Sequence, residues 1–115
     1  MPVLAVCGFS GSGKTTLIEA LLPSLLARGL RVAVIKHDAH GLQIDRPGKD
    51  SDRLFRAGAD MIVHGPEEFL LRGHKSGYYD LDGIISECRF FYDLLLVEGH
   101  KDTPLTKVWL DGVDD

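Results

Sequence analysis

The sequence predicts an α/β fold, a mostly parallel central sheet flanked by helices in three layers. Three observations predict it. A short apolar run, Val3-Leu4-Ala5-Val6-Cys7, leads into Gly8-Phe9-Ser10-Gly11-Ser12-Gly13-Lys14-Thr15. That octet has the spacing G-x-x-x-x-G-K-[ST] of a P-loop and is followed by a helix-like segment. A second apolar run, Arg31 to Lys36, follows the helix, and strand, crossover helix and strand make a right-handed parallel unit.

The loop's composition follows from the chemistry of its ligand. A triphosphate concentrates negative charge and needs many donors converging on a small volume. Glycine lets successive main-chain N–H groups turn inward with no side chain in the way. Lys14 brings a point charge to the β/γ-phosphates, and the Thr15 hydroxyl is a Mg²⁺ ligand. The positive end of the following helix adds its dipole. The alternative for this stretch is an ordinary glycine-rich turn. The fold expected around a P-loop is the three-layer nucleoside triphosphatase architecture.

The remaining elements follow in order. The first helix runs to about Arg28, with Leu17, Ile18, Leu21, Leu22, Leu25 and Leu26 on one face and Gly29 as its stop. Pro23 inside it predicts a kink or opened turn near Glu19. The polar segment from His37 to Asp50 leaves the carboxyl end of a strand, where open α/β sheets bind ligands. Ser51 is a candidate cap for a short helix over Asp52 to Ala57, closed by Gly58. Met61-Ile62-Val63-His64 and Phe69-Leu70-Leu71 flank Gly65-Pro66 and predict a β-hairpin at the sheet edge. Gly73 to Tyr79 reads as a loop, with Arg72, His74 and Lys75 as solvated charges. A helix follows from Leu81 to about Phe91, with Ile84, Ile85, Cys88 and Phe91 on one face. Leu94 to Val97 is apolar on both faces and therefore central; Lys107 to Leu110 is a weak last strand.

Composition narrows the function classes. The 115 residues suit one domain spanning the whole chain, and 44% hydrophobic residues suffice for a core. A net charge of −4 argues against nucleic-acid binding by bulk charge. There is no run of 18 apolar residues and no signal-peptide pattern, so the expected location is the cytoplasm. Cys7 and Cys88 have no metal or redox spacing, and Cys7 is expected to be a buried thiol.

Other residues are placed to do chemistry. Asp93 to Glu98 reads as an apolar strand ending in a carboxylate beside the P-loop, so Glu98 is a candidate Mg²⁺ ligand, direct or through water. The alternative is a solvated strand-end acid. Gly99 lets the backbone pass close to a phosphate. Asp38 is a candidate for holding a Mg²⁺-bound water or orienting an attacking one, and His37 and His40 are weaker candidates as metal ligands; each is also readable as a polar loop residue. Lys49 and Arg53 are candidates for the phosphate of a second ligand.

Taken together, these motifs resemble one family. Gly8 to Ile18, then Val34-Ile35-Lys36-His37-Asp38, then Gly48-Lys49-Asp50-Ser51 with Ala57-Gly58-Ala59, then Leu96-Val97-Glu98-Gly99-His100-Lys101, in this order, resemble the molybdopterin-guanine dinucleotide biosynthesis protein B (MobB) family over almost the whole chain. The resemblance implies a GTP-binding P-loop protein with weak GTPase activity. It implies a homodimer, with the hairpin contributing to the interface. It implies a role in molybdenum cofactor biosynthesis, assisting the guanylyltransferase, protein A, that attaches GMP to molybdopterin. By the same resemblance Gly11, Ser12, Gly13, Lys14, Thr15 and Thr16 contact phosphates, Thr15 and Glu98 sit near Mg²⁺, and Asp38 faces the nucleotide. Lys14 and Asp38 are then the residues nearest the chemistry. Family members usually continue past the segment matching Leu105 to Leu110, and the guanine-reading motif N-K-x-D is absent from this sequence. The rivals are a nickel-insertion type metallochaperone GTPase using His37 and His40, a small-molecule kinase, and a scaffold that binds nucleotide only to set its dimer state.

Overall fold

The structure is a computed structural model and describes residues 1–8, 13–36, 47, 49–74, 80–99 and 104–110. The chain separates into two compact units, Met1–Asp38 with Asp82–Asp115, and Ala39–Leu81.

The first unit is built on a wholly parallel four-stranded sheet. Its strands are β1 (Val3–Gly8), β2 (Val32–Lys36), β5 (Leu94–Glu98) and β6 (Thr106–Leu110), in the order β2-β5-β1-β6. The predicted central strand is central: Leu95, Leu96 and Val97 of β5 are fully buried, as are Ala5, Val6 and Cys7 of β1. A strand covered on both faces needs a continuous apolar run, which both sequences supply. Full burial of a side chain such as Leu95 contributes about 1.5–3 kcal/mol.

Helix α1 (Lys14–Ala27) lies on one face of this sheet. Its Ile18 packs with Val6 and Leu96, and Leu17, Leu22 and Leu25 join Leu4, Val32 and Leu94 around them. Leu21 and Leu26, expected on the same apolar face, are exposed, so the buried stripe is narrower than the run of leucines suggests. The helix continues through Pro23 with no break. Pro23 and Glu19 both face solvent, so water can satisfy the Glu19 carbonyl that has lost its helical donor. The helix ends in a Schellman motif: Gly29 N–H donates to the Leu26 carbonyl and Leu30 N–H to that of Leu25.

Helix α3 (Leu81–Cys88) buries Ile85 and stops earlier than the sequence predicts. Phe90 and Phe91 donate to the carbonyls of Glu87 and Cys88, three residues back, which tightens the chain into turns. Phe91 is therefore exposed rather than on the apolar face. The turns lead to Asp93, which accepts from the Arg31 backbone N–H at 2.8 Å and from its guanidinium at 3.1 and 3.2 Å. This clamp joins the starts of β2 and β5.

The second unit holds α2 (Asp50–Arg56) and the hairpin of β3 (Met61–His64) with β4 (Phe69–Arg72). The predicted hairpin is present and pairs as a two-stranded antiparallel sheet of its own. Helix α2 starts two residues before the predicted position. Lys49 is its N-cap residue with no side-chain cap, and Ser51 lies inside the first turn. Its end is a second Schellman motif, with Gly58 N–H on the Phe55 carbonyl and Ala59 N–H on that of Leu54.

Candidate nucleotide site

The site forms where β1 and β5 end and α1 begins. Gly13 caps α1 in the left-handed region, at φ 96° and ψ 17°, and its carbonyl accepts from Leu17 N–H at 2.9 Å. A side chain is strained at that φ, although no described atom lies within 4 Å of where a Cβ would sit. Among the described residues, glycine is needed here for backbone conformation and not for room. Lys14, Thr15 and Thr16 then form the first turn of α1, with Lys14 half-buried and both threonines exposed.

Glu98 ends β5 as the sequence predicts. Parallel register sets Glu98 beside Val6 of β1 on one side and beside Lys36 of β2 on the other. The Thr15 hydroxyl lies 3.4 Å from the Glu98 carboxylate, a loose contact rather than a closed hydrogen bond. Thus two oxygens from residues 83 positions apart converge at the head of α1. Mg²⁺ takes one or two carboxylates with hydroxyl, phosphate and water oxygens, and this pair of donors fits it.

Past Glu98 the chain is laced back to β1. Gly99 N–H donates to the Val6 carbonyl at 2.9 Å, and the Cys7 thiol donates to the Gly99 carbonyl at 3.4 Å. Gly99 has φ 91°, which again favours glycine. Cys7 is buried, as expected, and its thiol fixes the turn after β5 against the strand that feeds the loop.

The other predicted site residues divide in two. Gly11, Ser12, Asp38, His37 and His40 lie outside the described residues. Lys49 and Arg53 are described and exposed, joined by Arg53 N–H donating to the Lys49 carbonyl at 2.9 Å.

One cluster escaped the sequence reading. Asp52, only 3% exposed, receives Arg56 at 3.1 Å and Arg72 at 2.9 Å. Arg72 also lies 3.9 Å from the centroid of the Phe55 ring, on which His74 stacks at 3.9 Å. The His74 ring nitrogen Nε2 meets the Phe55 carbonyl at 2.8 Å, and His74 N–H donates to Asp60. Arg72 is therefore built into the unit rather than solvated, His74 is exposed although tied to Phe55 and Asp60, and Lys75 lies outside the described residues. The spacing of Asp52 and Arg56, four apart in a helix, was a readable signal; the partnership with Arg72 was not.

The comparisons with known proteins agree with this geometry. The family model described as "Molybdopterin guanine dinucleotide synthesis protein B" (MobB) matches residues 3–111. The molybdopterin-guanine dinucleotide biosynthesis adapter protein of Haemophilus influenzae is 42% identical over 112 residues, covering 96% of this chain and 63% of the relative. The Escherichia coli protein of the same name is 40% identical over 114 residues, covering 96% and 65%. The chain thus spans less than two thirds of these relatives. Among solved structures, Bacillus subtilis MobB superposes with a TM-score of 0.80 at 37% identity, covering 96% of this chain and 68% of that one. The parallel β1–α1 unit, the acid-ended central strand and the matched span all lead to one assignment: this chain belongs to the molybdopterin guanine dinucleotide synthesis protein B family.

Proposed function

We propose that this chain is a GTP-binding accessory protein of molybdenum cofactor biosynthesis. It assists the guanylyltransferase that joins GMP to molybdopterin, and it hydrolyses GTP slowly if at all. The observation that carries the reading is the convergence of the Thr15 hydroxyl and the Glu98 carboxylate at 3.4 Å, at the head of the helix that Gly13 caps. Its supports are the family membership and the adapter role in the names of the relatives.

The residues have separate tasks in this reading. The main-chain amides from Gly11 to Thr16 cradle the phosphates, and Lys14 balances the charge between the β- and γ-phosphates. Thr15 and Glu98 hold Mg²⁺, which supplies electrostatic stabilisation of the phosphates. Asp38 orients water. Guanine selectivity rests on the family alone, because N-K-x-D is missing. The acting species is a cytoplasmic homodimer. The hairpin supports that reading: Ile62, Phe69 and Leu71 are 69%, 71% and 63% exposed and share one face through the pairs Ile62–Leu71 and His64–Phe69.

Calorimetric titration with GTP and ATP in the presence of Mg²⁺ tests the reading. GTP binds more tightly than ATP, and Lys14→Ala weakens binding about tenfold or more, as expected for one charge-assisted contact. Equal affinity for the two nucleotides overturns the guanine selectivity, and an unchanged Lys14→Ala overturns the phosphate cradle. A thermal-shift panel that adds molybdopterin separates the accessory protein from a kinase. A monomer at micromolar concentration in light scattering rules out the hairpin interface.

A further inference from the structure

Lys36 ends β2, and no ion pair within the described residues uses its ammonium. The register makes Lys36 the direct neighbour of Glu98, as Val6 is on the other side. Side chains in register across parallel strands leave the same face of the sheet, and every second residue shares that face. Val6 of β1 and Leu96 of β5 form one buried cluster with Ile18 of α1, and Leu4, Leu94 and Val32 pack against that cluster. Counting on by twos puts Lys36 and Glu98 on that same α1 face, Glu98 one step beyond Leu96 and Lys36 one step beyond the exposed Val34. The Thr15–Glu98 contact agrees with this for Glu98.

From these positions we infer that Lys36 is a second phosphate-contacting lysine, which pairs with the terminal phosphate of a bound nucleoside triphosphate. The inference rests on the nucleotide-binding reading given above. Two sheet steps of about 4.8 Å separate β2 from β1, with the carboxylate strand between them. A lysine on a flexible four-carbon stem suits such an offset, because it acts as a mobile point charge. Lys14 approaches from the helix side and Lys36 from the outer strand. The terminal phosphate carries the charge that distinguishes a triphosphate from a diphosphate, so Lys36 confers discrimination between the two.

The test is titration calorimetry on the full chain with Mg²⁺, using a non-hydrolysable guanosine triphosphate analogue and GDP. Lys36→Gln lowers triphosphate affinity about tenfold, the size of one charge-assisted hydrogen bond, and leaves GDP affinity within about twofold. Lys36→Arg recovers most of the triphosphate affinity. Equal losses for both nucleotides overturn the inference and reduce Lys36 to a counter-charge for Glu98. No loss for either overturns it outright. Wild-type protein that binds neither nucleotide overturns the nucleotide-binding reading together with this one, whereas wild-type binding with an unaffected variant sinks Lys36 alone. Lys36→Met carries the same comparison if the Gln variant folds poorly.

Discussion

Asp52 is the buried acid among the described residues, and its two arginines are not equivalent. The Arg72 side chain is 13% exposed and the Arg56 side chain 66%. Removing a carboxylate from a mostly buried pair strands the opposite charge and costs about 3 kcal/mol, whereas an exposed partner contributes about 0.5 kcal/mol. Asp52→Asn therefore loosens the hairpin unit far more than Arg56→Ala does. Hydrogen exchange at the β3 and β4 amides reads the difference; equal effects would show that exposure does not set the strength of these pairs. Asp93 makes a second prediction. The Arg31 side chain, then the Arg31 backbone N–H, hold its carboxyl below the ordinary aspartate value of 3.8. Asp93 thus stabilises the folded chain above that value, and the contribution disappears as pH falls through the depressed folded-state pKa. The same partner raises the Arg31 guanidinium further, so it stays charged throughout. The melting temperatures of wild type and Asp93→Asn should converge as pH falls below 3.8; a constant gap would mean that the bridge is not what the substitution removes. Burial, with Glu87 adding to it, raises the Cys88 thiol, so alkylation of Cys88 should be slow at neutral pH.

Helix α1 carries both the residues proposed to contact phosphate and much of the core, so its integrity matters twice. Pro23 is exposed and costs the helix one backbone hydrogen bond. Pro23→Ala should stabilise the chain by about 2 kcal/mol, seen as a higher melting temperature; a lower one would mean that the proline shapes a fit the helix needs. At this scale most of the architecture was legible. The apolar runs of β1 and β5, the hairpin pair and the glycine stops of α1 and α2 are local patterns, and each appears where its pattern lies. The failures were ends and partners. The start of α2 escaped because Lys49 caps it through its backbone alone. The end of α3 escaped because the Arg31–Asp93 clamp draws the chain away, and that partner is 62 positions distant in sequence. In the candidate site, the places of Lys14 and Thr15 at the start of α1 and of Glu98 at the end of β5 were legible from motif spacing. The Cys7–Gly99 lacing and the Asp52–Arg72 pair were not, since no local pattern announces contacts across the fold.

The two units differ in what holds them. All the buried hydrophobic residues described, from Ala5, Val6 and Cys7 to Leu95, Leu96 and Val97, with Ile18 and Ile85, belong to the sheet unit. The hairpin unit is held instead by its ion pairs, ring stacking and antiparallel ladder. Native-state hydrogen exchange should show two levels of protection, with β1 and β5 amides slowest and β3 and β4 amides opening more readily. Hairpin amides as slow as those of β5 would show that the ion-pair cluster holds its unit as firmly as the apolar core holds the other. Leu96→Ala should cost about 3 kcal/mol and be felt first in the sheet unit.

The parallel pairing of β1 also bears on how the chain is made. Val3 to Val6 find their partners in Leu95 to Glu98 and in Thr106 to Val108, near the opposite end of this sequence. During synthesis β1 must wait until the segments of β5 and β6 have been translated, with its apolar edge open to other nascent chains. Assembly of the sheet is therefore a late and slow event, since distant contacts must close before any strand is rewarded. Chaperone dependence, or a loss of yield when synthesis is accelerated, is the cellular trace that this ordering should leave.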